Sequence, residues 1–373
     1  MNILHLTMKY PPPMDGGLQR QVHGLAHSLA NEHTVGIVTM GDDRMDGPVQ
    51  VYGAGSVHDL LPSCEVPGLA RANFALGAAL ARAMAHHRWD IVHAHDWMIA
   101  PAAHLARSGF GLPVVATFHA DSGAEAVGSA EDRERRLEWE RSLVASAAKV
   151  LACGRRLEAS VRARHPASDV TYVPNGLWTE HFARSANSVD RLPLRLLFVG
   201  RLVPYKGCGD LIRAVALLKA TWRDIELQVI GDGFARSDLE GLANELRVQD
   251  NVVFRGWLDG AELVRSYRAA TIVVVPSHEE AFGLVVLEAM AAGASVIATT
   301  VGEFPAFIVP DQTGLLVPPG QSEVLARQID RLLRDPKWRT TMAQTAKEQV
   351  VPEYDWGRVV THTLHVYQDA IAR

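Results

Sequence analysis

Cysteine is scarce: three residues in 373, Cys64, Cys153 and Cys208. Their odd number and wide spacing exclude a disulfide framework and a cysteine-rich zinc site, and point to a reducing compartment, the cytoplasm. A long apolar run is also missing. The most apolar stretch, Leu284 to Ala298, is broken by Glu288 and is shorter than a bilayer span, so no transmembrane helix is expected and membrane association is not called for. Basic residues are not in excess: 37 Lys and Arg face 42 Asp and Glu, a net charge of -5 that offers no general footprint for nucleic acid. Met1 to Thr7 carries neither a basic region nor a long apolar core, and reads as a first buried strand rather than a signal peptide.

Against these absences stands an ordinary folded composition, 48 % hydrophobic and 21 % charged, in a chain long enough for two cores. Short apolar runs alternate with helical stretches. In the first half they are Ile3–Leu6, Thr34–Thr39, Ile91–His93, Val114–Phe118 and Val150–Ala152, with helices such as Leu18–Asn31 and Ala70–His87 between them. Their continuous hydrophobicity suits parallel strands covered on both faces. A second series follows Asn175-Gly176: Arg195–Val199, Glu226–Ile230, Val252–Phe254, Ile272–Val275, Ser295–Ala298 and Gly314–Val317. The expected fold is α/β, with two Rossmann-like doubly wound domains whose strand ends look onto a shared crevice. The linker runs through Pro174-Asn175-Gly176 and the polar stretch Arg184–Arg191. This puts a first domain at 1–178 and a second at 179–353, with 354–373 a final helical segment. Asp42–Gly68 is weakly patterned and is a candidate for lining the entrance to the crevice. Gly68–Trp89, with Arg71, Arg82 and Arg88 among apolar residues, suits core packing better than a membrane-surface helix.

Two clusters carry chemistry. In Pro276-Ser277-His278-Glu279-Glu280-Ala281-Phe282-Gly283-Leu284, a strand ends in a turn and a helix begins near Phe282 or Gly283. The free N–H groups of such a helix start face a phosphate or sugar oxygen. Glu280 lies before the helix and Glu288 inside it, so the two carboxylates can hold different hydroxyls of one elongated ligand. Each alone would more often be a helix-entry carboxylate or a solvated helix residue. In Gly200-Arg201-Leu202-Val203-Pro204-Tyr205-Lys206-Gly207, Arg201 offers a planar fork and Lys206 a mobile point charge, suited to two adjoining phosphates.

Together with Pro174-Asn175-Gly176 and Gly16-Gly17, these segments resemble the retaining glycosyltransferases of family 4, of the GT-B fold, in order along nearly the whole chain. The resemblance implies transfer of a sugar from a nucleotide diphosphate, UDP foremost, to a hydroxyl of a sugar, cyclitol or similar acceptor, with the acceptor bound by the domain at 1–178, the donor by the domain at 179–353, and 354–373 crossing back to the first. It implies that Arg201 and Lys206 hold the diphosphate, that Glu280 and the Phe282-Gly283-Leu284 backbone contact the sugar, and that Glu288 binds the ribose. The nucleobase would lie near Val253-Phe254-Arg255-Gly256, with Arg255 packing on it. Gly16 and Gly17 could bring backbone amides to a phosphate, Arg20 and His23 could face the acceptor, and His119 is similar to the family's histidine beside the sugar.

His93-Ala94-His95-Asp96-Trp97 resembles a segment of glucan synthases in the same family; His95 and Asp96 read as polar acceptor-site residues. Both histidines would also suit a metal, but no third well-spaced ligand is evident, and there is no Asp-x-Asp sequence. No cofactor and no required divalent metal are therefore expected. Two departures stand out: Ala120 separates His119 from Asp121, and Val301-Gly302-Glu303-Phe304-Pro305 lacks the family's paired glycines. Gly231-Asp232-Gly233 is too short a glycine motif to argue for a dinucleotide.

Overall fold

Four- to six-residue apolar runs cannot shield both their faces alone, so each must pack in a sheet covered by helices on either side. The computed structural model, which describes residues 1–12, 16–55, 66–123, 129–183 and 194–373, shows two such sheets. The chain divides into Met1–Gly176 with Trp356–Arg373, and Leu177–Asp355.

The first unit contains β1 (Asn2–Leu6), β2 (Thr34–Thr39), β3 (Arg44–Asp46), β4 (Val49–Gly53), β5 (Ile91–His95), β6 (Val114–Phe118), β7 (Lys149–Ala152) and β8 (Val170–Tyr172), in the order β3-β4-β2-β1-β5-β6-β7-β8. Every pairing is parallel except β3 with β4 at one edge. The second contains β9 (Arg195–Val199), β10 (Glu226–Ile230), β11 (Val252–Gly256), β12 (Ile272–Val275), β13 (Ser295–Thr299) and β14 (Leu315–Val317), all parallel, in the order β11-β10-β9-β12-β13-β14. In each sheet the strand order reverses once, between β1 and β5 and between β9 and β12. Loops leaving the carboxyl ends of strands at such a reversal diverge and leave room for a ligand.

The C-terminal helix Trp356–Ile371 packs in the first unit, as the GT-B reading expects. Its Trp356 ring lies against two glycines: a Cβ on Gly24 would come within 2.2 Å of it and one on Gly176 within 2.3 Å. Gly176 is fixed from the other side by Gln21, which donates to its carbonyl at 3.1 Å and accepts from its amide at 2.8 Å.

Several expectations need correction. The stretch from Asp42 holds the antiparallel β3–β4 pair, whose Asp46-Gly47-Pro48 turn was not read from the sequence. β8 was also missed, being three residues of mixed polarity. The helix after β12 begins at Leu284, and Phe282 and Gly283 precede it. Helix Val66–His86 buries Leu69, Ala72, Leu76, Ala79, Leu80 and Ala83, the helical spacing of a core face. Cys64, Met14 and Asp15, the rest of the Asp42–Gly68 segment from 56 to 65, and the polar linker Arg184–Arg191 lie outside the described residues.

Candidate active site

In the second unit, the loops leaving β9 and β12 at the reversal of strand order carry both sequence clusters. Lys206 Nζ donates to Glu280 Oε2 at 2.6 Å, and each side chain is only 17 % exposed. Tyr205 gathers the cations: its hydroxyl accepts from Arg201 at 2.6 Å, and its ring centroid lies 5.9 Å from the Arg201 guanidinium carbon and 5.7 Å from Lys206 Nζ. The loops are stitched together by the backbone, His278 N–H donating to the Tyr205 carbonyl at 2.7 Å, and by His278 Nε2 against Asp210 at 2.6 Å. The close approach requires a glycine at 207, where φ is +71° and a Cβ would stand 2.0 Å from the Pro276 carbonyl oxygen.

Gly302, one of the departures from the family pattern, has a physical reason of its own. Its φ is +54° and a Cβ there would lie 2.2 Å from the Glu280 carbonyl oxygen, so this glycine admits the backbone of the Glu280 loop. Glu303 beside it is buried. Gly231-Asp232-Gly233 serves the same loop system: the Asp232 carbonyl accepts from Leu202 N–H at 2.9 Å, and the Ile230 carbonyl accepts from Gly200 N–H at 3.0 Å. That short glycine run is packing for the Arg201 loop.

Glu288 is not a solvated helix residue. It is 4 % exposed, and its Oε2 accepts a 2.6 Å bond from the Tyr267 hydroxyl. Burial of a carboxylate is tolerated only where donors meet it, so Tyr267, which lies on the separate helix Gly260–Ala269 and is tied to Glu288 by no local spacing, belongs with Glu288. Gly283 stands at φ +95° just before the helix, followed by Leu284 at its first turn. Phe282 is buried against Phe307, ring centroids 5.1 Å apart, which leaves its backbone rather than its ring to a ligand. Arg255 is exposed on the edge strand β11. Sequence reading passed over two exposed aromatics near it in the fold, Phe234 and Trp257, on the segments that follow β10 and β11. Their positions just after the apolar runs Glu226–Ile230 and Val252–Phe254 were the available signal.

In the first unit, β1, β5 and the end of β6 bring four imidazoles together. His5 Nδ1 meets His95 Nε2 at 2.9 Å, and His95 Nδ1 meets His119 Nε2 at 3.1 Å. His93 is engaged at both nitrogens, by the Tyr367 hydroxyl and the Thr117 hydroxyl, each at 2.6 Å. His5 is the third imidazole that the sequence did not reveal, since it lies almost ninety positions away and is brought beside His93 by the β1–β5 register. Burial pushes His5 down to about 3 and His119 to about 4, the latter against a hydrogen bond with Asn175 that works upward. His93 and His95 fall well below the ordinary value, mainly by burial. All four are neutral at pH 7. Each neutral ring has one N–H, so the proton position on one fixes that of the next.

Asp96 follows at φ 67°, ψ 166°, a region that costs a non-glycine residue about 1–3 kcal/mol and occurs mainly at functional sites. Its carboxylate accepts a long 3.5 Å contact from the His119 amide. Ala120 and Asp121 continue this segment; Asp121 turns to Arg164, at 2.9 Å, so the acid displaced by one position is held by a cation elsewhere. Gly16 precedes and Gly17 opens the helix Gly17–Leu29, with open space where a Gly17 side chain would be. Arg20 is half-buried on this helix, and His23 is directed to Asp46, 3.6 Å away.

The two units coincide with two known domain families. Residues 16–176 match the glycosyl transferase 4-like domain, and residues 180–349 the glycosyl transferases group 1. The chain is 30 % identical to an uncharacterized glycosyltransferase of Methanocaldococcus jannaschii, over 100 % of this chain and 99 % of that one. It is 31 % identical to the D-inositol 3-phosphate glycosyltransferase of Pseudarthrobacter chlorophenolicus, over 99 % and 94 %. Sucrose-phosphate synthase from Thermosynechococcus elongatus has the same fold, with a TM-score of 0.84 at 26 % identity, over 100 % of this chain and 99 % of that one. The chain belongs to the glycosyl transferases group 1. It is a glycosyltransferase of the GT-B type that uses nucleotide sugars.

Proposed function

We propose that the protein transfers a hexose from a UDP-sugar, with retention of anomeric configuration, to a hydroxyl of a small soluble sugar or cyclitol. The observation that carries this reading is the Lys206–Glu280 contact at the β9/β12 reversal, where a cation for a diphosphate and a carboxylate for a sugar hydroxyl stand 2.6 Å apart. Arg201 and Lys206 stabilise the charge that grows on the leaving diphosphate as the anomeric bond breaks. The acceptor oxygen attacks from the face the diphosphate leaves, and the diphosphate oxygen takes the hydroxyl proton. Glu288, oriented by Tyr267, holds the ribose, and Arg255 lies against the base. On the first unit, Arg20, His95 and Asp96 orient the acceptor.

His119 acts as a neutral hydrogen-bonding group toward the transferred sugar, consistent with its depressed proton affinity. None of these steps calls on a divalent metal. The inositol phosphate acceptor named for a relative 31 % identical supports a cyclitol here. The resemblance supports UDP ahead of GDP and ADP.

Thermal-shift screening of UDP-, GDP- and ADP-sugars ranks the donor, because a ligand bound to the native state raises its melting temperature by mass action. Turnover with pooled acceptors follows. Release of UDP that requires an acceptor supports transfer, whereas donor consumption without one would make the protein a hydrolase or epimerase, and donor binding without turnover in any pool would make it a sensor.

A further inference from the structure

A second constellation lies on the first unit, built from the helix Gly17–Leu29 and the β3–β4 edge. His23 and His27 are four residues apart on the helix, so both rings project from one face, the spacing that presents paired imidazoles to a single ion. The rings stack at 4.1 Å between centroids. Both Nε2 atoms converge on one oxygen, Asp46 Oδ2, at 3.6 Å from His23 and 3.0 Å from His27. With metal–ligand bonds of about 2.0–2.2 Å, neighbouring ligand atoms of a tetrahedral site stand roughly 3.3 Å apart, so a small adjustment admits an ion.

We infer that His23, His27 and Asp46 form a binding site for a first-row divalent cation, Zn2+ foremost, that ties the helix Gly17–Leu29 to the β3–β4 pair. The carboxylate at the centre repels a phosphate, so the ligand is a cation. Two imidazoles select against Mg2+ and Ca2+, which prefer all-oxygen shells. Tyr10 supplies the outer support that metal carboxylates need, donating to Asp46 Oδ2 at 2.6 Å. Gly47, at the turn between the two strands, lets the chain pass the His27 ring, where a Cβ would come 3.3 Å from Cε1.

The three side chains are 21 %, 23 % and 31 % exposed, leaving an ion a path in. His5, His93 and His95 also lie within ligand reach of one another. There, however, both nitrogens of His93 are already bonded to hydroxyls and the buried group offers no carboxylate, whereas the helix–strand trio includes Asp46, whose 3.0 Å hydrogen bond with His27 an ion would replace. The chemistry therefore favours the helix–strand trio.

The test is equilibrium dialysis of EDTA-treated full-length protein against Zn2+, with metal analysis and titration calorimetry. One Zn2+ per chain, with a raised melting temperature, is expected. His27→Gln and Asp46→Asn, with apo circular dichroism like the parent, should each lose that equivalent. Tyr10→Phe, which spares all three ligands, should weaken affinity ~10–100-fold. His5→Gln should keep it. Absence of saturable binding in the parent, undiminished binding in His27→Gln and Asp46→Asn, or loss confined to His5→Gln would each overturn the assignment.

Discussion

Lys206 Nζ and Glu280 Oε2 lie 2.6 Å apart although 74 positions separate them in the chain. The pair joins the loops that leave β9 and β12, and both side chains are mostly screened from water. The cation is therefore held in place before a donor arrives, which is the preorganisation that makes an electrostatic contact count at a transition state.

Lys206→Ala should lower kcat/KM by ~100- to 1000-fold, the usual cost of one such donor, about 3 kcal/mol. Its melting temperature should stay within a few degrees of the parent. Steady-state kinetics on the best donor, beside a thermal melt, check both. Catalysis at the parent rate would remove Lys206 from the mechanism.

Tyr267→Phe deletes the hydroxyl that donates to Glu288 and leaves a buried carboxylate short of one donor. A cost of about 1–3 kcal/mol is expected, divided between folding and donor binding. If Glu288 holds the ribose, donor KM should rise about tenfold while kcat changes little, since binding is lost equally in ground and transition states. An unchanged KM with reduced stability would assign Glu288 to packing alone.

Gly302→Ala sets a methyl 2.2 Å from the Glu280 carbonyl at a residue whose φ is +54°. The backbone on both sides must shift, carrying Glu280 away from Lys206. Activity should fall at least ~10-fold, with a stability loss of about 1–2 kcal/mol measured by urea unfolding. Parent-like kinetics in this variant would show that the glycine is not needed for the loop approach.

Acid should destabilise the first unit through its buried imidazoles. His5 and His119 titrate at about 3 and about 4 in the folded chain, against 6.5 as ordinary side chains. The unfolded chain therefore takes up protons first. The stability tied to these groups is present above pH 6.5 and is lost as pH falls, down to about 4 for His119 and about 3 for His5. Each contributes a slope of up to about 1.4 kcal/mol per pH unit in its window. Unfolding midpoints between pH 7.5 and 4.5 should show a shallower decline in His5→Gln, by about one proton. Parallel curves would contradict neutral burial of His5.

Much of the fold was legible because parallel strands buried on both faces are continuous apolar words. Thr34–Thr39, Val114–Phe118, Arg195–Val199, Glu226–Ile230 and Ile272–Val275 were read with the bounds they have in the structure. The edge pair β3–β4 was not, since edge strands face water on one side and their short polar sequence carries no such signal. The same limit applied to the site. Glu280 and Lys206 were visible as motif residues, while Tyr267, Tyr205 and His5 act through contacts that no local spacing announces.

Composition and local pattern by themselves determined that this chain builds two α/β units and carries the group 1 glycosyltransferase motifs, because strand periodicity and turn chemistry are properties of neighbouring residues. Only the tertiary structure decided that Lys206 meets Glu280, that Glu288 is buried under a tyrosine, and that His5 completes a neutral imidazole array. These are matters of which strands lie side by side, and sheet order is set by packing free energy summed over the whole unit rather than by any one segment.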